Sequence, residues 1–498
     1  ILILLRKNKF IVGQFYKMKE FDVTIIGLGP TGGTLANLIA LNGFSVLILE
    51  KEKSHYNLPR AVHFDDEIMR VFQTIGITKY FLKHTIINKG TKFVNSKGKV
   101  VLDWPRPRKI TENGWYPSYR FHQPDLERNL RNRLKTFKQV KLMQNTEVTK
   151  IKNNKNSVDL FFKSKNKIQK VSSKYVIGCD GARSTTREQM GSVLDNLGFT
   201  QKWAVVDLIL KKNKNKLPDR TIQYSNSERP ATYCRNVGKR RRWEFAIQDN
   251  ENEKEILYDK YIWNFLKPWL SPKEAYLERK AIYIFQSAIA RKWREGRIFI
   301  AGDAAHLMPP FMGQGMCAGI RDASNLAWKI SLCIKNKHDE KFLDTYQTER
   351  FSNAKEYIET TMRMGEFVNA VGSENITDNI SSGPDGTKSM QSIKPKLGIG
   401  LGSNKDKNRG KIFPQLKMKN GKTLDEKFSK SPLLLTSSKL SKKISLNKIK
   451  SITDKDIKGL SSLLKTYKAK AIIVRPDRFI LKTCKSSNDF NRINYLPL

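Results

Sequence analysis

Two kinds of apolar pattern punctuate the chain. The first is short and nearly unbroken: Val23-Thr24-Ile25-Ile26, Val46-Leu47-Ile48-Leu49, Tyr175-Val176-Ile177 and Ile298-Phe299-Ile300. Runs of this length that end at glycine or an acid read as strands buried on both faces, as in a parallel sheet. The second is periodic: Leu35, Leu38, Ile39 and Leu41, then Ile320, Ala323, Ala327, Ile330 and Ile334, recur at helical spacing. Helices are also expected from Val62 to Ile77, between Leu257 and Leu277 and from Phe342 to Met362, and a basic one from Gln123, where Pro124, Asp125 and Glu127 suit a helix start. Shorter alternating stretches predict strands between Asn88 and Trp104 around Ser96-Lys97-Gly98, a β-meander from Val140 to Ser172, and a strand-rich layer over residues 203 to 248.

Strands alternating with helices place the chain in the α/β class, and 498 residues call for two or three cores. From Gly372 to Gly410 the chain turns rich in Gly, Ser, Asn and Lys. Gly398-Ile399-Gly400-Leu401-Gly402 lies there with no strand before it and no helix after it, so it reads as loop. The tail from Lys411, with a strand at Ala471-Ile472-Ile473-Val474, predicts a small α/β module. It carries no CxxC, which argues against redox chemistry there.

Chemistry concentrates where the buried strands stop. Gly27-Leu28-Gly29-Pro30-Thr31-Gly32 follows the first strand directly and opens a helix, and the next strand ends in Glu50 and Lys51. This is the dinucleotide fingerprint in its required setting: one glycine for the turn, one for pyrophosphate approach, one for helix packing, and an acid for a ribose. Asp180 in Gly178-Cys179-Asp180-Gly181 and Asp303 in Ala301-Gly302-Asp303-Ala304-Ala305-His306 put further carboxylates at strand ends. Such groups accept from sugar or ribityl hydroxyls. After Pro309-Pro310, Gly313 and Gly315 leave backbone N–H groups exposed, and the following helix aims its partial positive charge at whatever Asp303 holds. Arg60 is a candidate for phosphate contact or a surface residue, and Gln123 faces a cofactor or caps its helix.

Composition changes this picture little. Ninety-two Lys and Arg against 47 Asp and Glu give a net charge of +45, but the lysines are scattered among Asn and Ile, as on solvated surfaces, so the charge does not call for nucleic acid. Five dispersed cysteines predict free thiols in a reducing, cytoplasmic setting; six histidines without ligand spacing predict no metal. No run is long enough to span a membrane, and residues 1–17, ahead of Met18, read as upstream of the true start. No Ser/His/Asp constellation is apparent.

The three separated motifs, with Pro59-Arg60-Ala61, Asp65-Asp66-Glu67, Gly313-Gln314-Gly315, Arg321-Asp322-Ala323, Asn325-Leu326-Ala327-Trp328-Lys329 and Arg475-Pro476-Asp477-Arg478, resemble the class A FAD-dependent aromatic hydroxylases, in particular the 3-(3-hydroxyphenyl)propionate/3-hydroxycinnamate hydroxylases. The resemblance implies a Rossmann-like FAD-binding domain over 20–200 and 286–371, an inserted β-sheet substrate domain over 201–285, a linker over 372–410 and a thioredoxin-like module over 411–498. It implies FAD and NAD(P)H as cofactors, with oxygen reaching a phenolic acid through a flavin hydroperoxide, and a small aromatic and O₂ as partners in a possible homodimer. Gly27, Gly29, Pro30, Thr31, Gly32, Glu50 and Lys51 would hold the ADP half; Arg60 and Gln123 the phosphate and ribityl region; Asp180 both cofactors; and Gly302, Asp303, Pro310, Gly313 and Gly315 the ribityl and ring end. Tyr224, Arg229, Tyr233 and Arg242 are candidates for holding the substrate. Halogenation is a rival on the same fold, although Arg242-Trp243-Glu244-Phe245-Ala246-Ile247 lacks the second Trp and the Pro of the halogenase string; a basic nucleic-acid-binding protein is a rival from another class.

Overall fold

The computed structural model describes residues 20–54, 60–165, 167–212, 216–226, 229–336, 339–369, 380–382, 388–442, 449–486 and 489. The expectations for residues 1–17 and for Pro59, and part of the 372–410 linker, lie outside them.

The buried apolar runs form the centre of an eight-stranded sheet. Ile298–Ile300, Lys167–Gly178, Phe21–Ile26, Val46–Leu49 and Val140–Met143 lie side by side in that order, all parallel. Val23, Ile25, Val46, Leu47, Ile48, Val176, Ile177, Phe299 and Ile300 are fully buried, as a sheet covered on both faces requires. The helix Pro30–Leu41 packs against the long helix Gly315–Asn336. Val158–Ser164 and Thr146–Asn153 extend the sheet as the antiparallel meander.

A second sheet of ten strands is built around two long ones, Leu194–Leu210 and Ala275–Ala290. Arg240–Ala246, Ala231–Arg235 and Thr221–Tyr224 continue it, and it recruits Gly90–Val94, Val100–Pro105 and Lys388–Met390 from distant parts of the chain. Where sequence periodicity predicts helix throughout 257–277, the helix covers only Asp259–Leu266, and Ala275 already enters the long strand. The single helix expected from Val62 to Ile77 is likewise divided. His63–Asp65 pairs as a strand with Ser118–Phe121, and the helix begins at Asp66, where the Asp65 side chain caps it by accepting from Ile68 N. Phe64, Phe72, Phe81, Tyr119 and Phe121 stack and cross edge to face beneath that small sheet.

The tail forms a four-stranded sheet in the order Lys450–Ile452, Leu433–Thr436, Ala471–Val474, Ile480–Cys484. Buried charges seal it to the main body. Glu349 Oε2 takes Lys329 Nζ at 2.7 Å and its Oε1 takes Arg475 Nη1 at 2.9 Å; Asp425 takes Arg70 at 2.7 Å and Arg478 at 2.8 Å. Burial would raise the Glu349 carboxyl, but Arg475 and Lys329 hold it at about 2.

Candidate active site

Three parallel strands release their chains at one edge. Cys179 N donates to Ile26 O at 2.8 Å and Ala301 N to Gly178 O at 3.0 Å, so the Gly27, Cys179 and Ala301 turns stand next to one another. Their proximity dictates residue size. A Cβ on Gly27, whose φ is +93°, would lie 2.5 Å from Cys179 O, and one on Gly32 would lie 2.1 Å from Gly27 O. One on Gly29 would meet nothing within 4 Å. Gly29 caps the helix Pro30–Leu41 without a side-chain hydrogen bond, which leaves first-turn N–H groups for an anion. Glu50 Oε2 accepts from Leu28 N at 2.6 Å and Oε1 from Glu52 N at 2.9 Å, so its carboxylate stiffens the turn and keeps lone pairs for a hydroxyl. This open cradle beside an acid fits the phosphate and ribose end of FAD.

A cavity of about 520 Å³ runs from this edge under the ten-stranded sheet. Gly29, Pro30, Thr31, Arg60, Gln123, Asp303, Pro310, Gly313, Gly315 and Arg242 line it. Asp303 projects into it, and enclosure by protein pushes its carboxyl up, opposed by His306 and Arg60. The turn behind Asp303 is fixed by Asp322, whose Oδ2 accepts from Gly302 N at 3.0 Å and from His306 Nε2 at 2.7 Å, while Oδ1 accepts from Arg350 Nε at 2.8 Å. Burial would raise Asp322, but His306 and Arg350 hold it below the usual carboxylate range. Gln123 spans the alternatives left open by its sequence. Its Oε1 accepts from Ala61 N at 2.7 Å and Arg60 N at 3.2 Å, so it positions the Arg60 loop while lining the cavity.

Several predicted residues stand elsewhere. Gly27, Gly32 and Gly302 are packed into the turns, and Lys51 is exposed in a bend. Asp180 spends both oxygens locally: Oδ1 accepts from Ser184 Oγ at 2.5 Å, and Oδ2 from Thr186 N and Oγ1 at 2.9 Å each. Its neighbours Cys179 and Gly181, not its side chain, reach the cavity wall.

Three of the four substrate candidates do not line the cavity. Tyr224 packs on Trp269 at 5.1 Å; Tyr233 is fully buried and donates to Pro218 O at 2.9 Å; Arg229 pairs with Glu251 over the Phe265 ring. Apolar packing and a local ion pair claim them. Arg242 does reach the cavity, yet Asp207 takes its Nε at 2.8 Å and Arg60 O its Nη1 at 2.7 Å.

Periodicity also misses residues that the fold brings here: His63, Arg106, Arg120, Glu244 and Tyr283. The only sequence signals are an arginine set between two prolines, Pro105-Arg106-Pro107, and one inside the strand Ser118–Phe121. Among the described residues no cluster of His, Cys, Asp or Glu is placed to hold a metal, and no helix is long and apolar enough to cross a membrane.

The family model described as FAD binding domain matches residues 20–361. The chain belongs to that family. It is 34% identical over 407 residues to a probable NADH-specific resorcinol 4-hydroxylase of Rhodococcus jostii (strain RHA1), covering 80% of this chain and 75% of that one. It is 32% identical over 354 residues to the 3-(3-hydroxy-phenyl)propionate/3-hydroxycinnamic acid hydroxylase of Mycolicibacterium smegmatis (strain ATCC 700084 / mc(2)155), covering 70% of this chain and 61% of the relative. The mixed α/β fold is shared with aklavinone-11 hydroxylase, solved as a ternary complex with FAD and aklavinone, at a TM-score of 0.78 and 17% identity over 95% of this chain and 97% of the other.

Proposed function

We propose that the protein is an FAD-dependent monooxygenase that hydroxylates a phenolic aromatic, with NAD(P)H as reductant and O₂ as co-substrate. One observation carries the reading: a single cavity joins the Gly29 cradle and Asp303 to a pocket walled by the large sheet. Bound FAD supplies the electron transfer and oxygen activation. The chain supplies the rest. The first turn at Gly29, Pro30 and Thr31 receives phosphate, Glu50 a ribose hydroxyl, and Asp303 the ribityl chain, with Gly27, Gly32 and Gly302 shaping the turns. Arg60, placed by Gln123, neutralises phosphate; Pro310 and Gly313 shape the turn, the Gly313 N–H donating to Pro310 O at 2.7 Å, and the helix that starts at Gly315 brings its first-turn N–H groups toward the ring, which favours a reduced anionic form. Asp180 acts through the Ser184 and Thr186 contacts, and Lys51 stays at the ribose rim. The large sheet covers the substrate and excludes water.

The 3-(3-hydroxyphenyl)propionate class, named for several relatives, is the finer substrate assignment. The same reading takes the enzyme as cytoplasmic, without nucleic-acid or membrane partners, with a homodimer as the assembly to test. It divides the chain into an FAD-binding domain (20–200 and 286–371), a substrate domain (201–285), a linker (372–410) and a C-terminal module (411–498). The experiment is direct: purified protein should carry yellow flavin, and a phenol should accelerate NADH oxidation with a catechol-type product. Colourless protein that oxidises no NADH with any phenol would remove the assignment.

A further inference from the structure

The substrate side of the cavity contains an electrostatic imbalance. Arg106 and Arg120 both line it, and among the described residues neither lies within salt-bridge distance of a carboxylate. Both are nevertheless built in. The Arg106 guanidinium lies 3.9 Å over the Trp104 ring, and Arg120 Nη2 donates to Thr221 Oγ1 of the large sheet. Each keeps a buried N–H group without a partner, on Arg106 Nη1 and on Arg120 Nε, and Arg120 is only 6% exposed. Buried donors on a charged group are costly to leave unmet, so the arrangement is complete only with an acceptor in the cavity.

The neighbours do not supply it: of the acids that act on Arg106, Asp65 pairs with Arg321, and Asp66 accepts from Thr111 Oγ1 at 2.6 Å and Asn113 Nδ2 at 3.0 Å. Asp207, an acid of the large sheet, is taken by Arg242 at 2.8 Å and Arg279 at 3.0 Å. Burial pushes the Glu244 carboxyl up, toward its neutral form. His63, between the two arginines and the Gly313 turn, is pushed down to about 3 by burial and then by Arg120 and Arg106, so it adds no anion. The charges acting on Arg120 belong to the large sheet, namely Glu244, Arg242 and the Cys234 and Tyr233 groups, whereas Asp303 senses His306, Arg60 and Asp322. The pair therefore belongs to the substrate side, away from the phosphate cradle.

Resting on the hydroxylase reading above, we propose that Arg106 and Arg120 together seat the carboxylate of an aromatic acid substrate. A carboxylate offers two oxygens to the two planar forks that line this cavity and balances their charge. An uncharged diphenol such as resorcinol would leave that charge unbalanced. The selectivity is then for a phenol bearing an acidic side arm, and the arginines set which phenol turns over rather than how oxygen is transferred.

The holoenzyme would be assayed with 3-(3-hydroxyphenyl)propionate, its methyl ester and resorcinol. The expected result is a KM for the acid well below those of the ester and resorcinol. Arg106→Gln and Arg120→Gln should each raise the acid's KM by about tenfold or more, leave ester and resorcinol within about threefold, and retain flavin; Arg120→Lys should recover part of the loss. Equal loss for acid and ester would overturn the proposal in favour of a phenolate site, and lost flavin absorbance with unchanged KM for the acid would reassign the pair to FAD. A wild type that hydroxylates resorcinol or the ester as well as the acid would also overturn it, while leaving the hydroxylase reading intact. Failure with every phenol would instead remove that reading.

Discussion

Two of the places where the molecule buries cationic side chains treat them oppositely. At the seam between tail and body, Lys329, Arg475, Arg70 and Arg478 each meet a carboxylate within 3 Å, at 2.7, 2.9, 2.7 and 2.8 Å. In the cavity, Arg106 and Arg120 lie within reach of none among the described residues. The same side chain thus serves as mortar where its partner is in the chain and as receptor where its partner must arrive from outside. A buried ion pair needs both members, so removing one costs far more than exchanging both for apolar groups.

The seam should be the more fragile of the two under substitution. Glu349→Ala leaves Lys329 and Arg475 buried without their shared carboxylate and is expected to destabilise the protein by about 3–5 kcal/mol, read as a fall in unfolding midpoint with early proteolysis near the tail. Acid should reproduce part of this without a mutation. The Glu349 carboxyl is held at about 2 against an ordinary 4.5. Its contribution is therefore complete above pH 4.5 and disappears as pH falls toward 2, a loss on the order of 3 kcal/mol. Denaturant titrations across that window should show the decline in the parent and little of it in Glu349→Ala.

The cavity should respond with the opposite sign. Arg120→Met removes a buried charge that lacks a carboxylate and replaces it with an apolar chain of similar length. Stability is expected to stay within about 1 kcal/mol of the parent or to rise, measured by thermal unfolding without substrate, while acid binding is lost. A fall of several kcal/mol would mean that Arg120 has a structural partner and that the contrast between the two clusters is false.

The nucleotide-binding half was legible because its physics is local. A strand buried on both faces must be apolar throughout, and Gly27, Gly29 and Gly32 fall in one contiguous strand-turn-helix stretch whose spacing is readable even though the contact that forbids a side chain at Gly27 comes from Cys179. The His63–Asp65 strand was not legible as such, since only pairing with Ser118–Phe121, far along the chain, makes it a strand. Asp65, followed by two further acids, did carry the sign of a helix start that the apolar periodicity obscured. The cavity arginines were hidden by abundance: in a chain with 92 Lys and Arg, nothing local distinguishes a buried guanidinium from a solvated one. Tyr224 and Tyr233 are the right chemical types on strands of the right sheet but turn into its packing, and Arg229, in the connection between those strands, is held by Glu251.

The turn at residues 302 and 303 divides shape from charge between two aspartates. Asp322 is gripped on three sides and sets where the backbone goes, while the Asp303 carboxylate takes no hydrogen bond among the described residues and only faces the cavity. The two are separable in one direction only: an amide at 303 would silence the negative pole and leave every Asp322 contact in place, whereas an amide at 322 would slacken the scaffold and also change the charge that Asp303 feels.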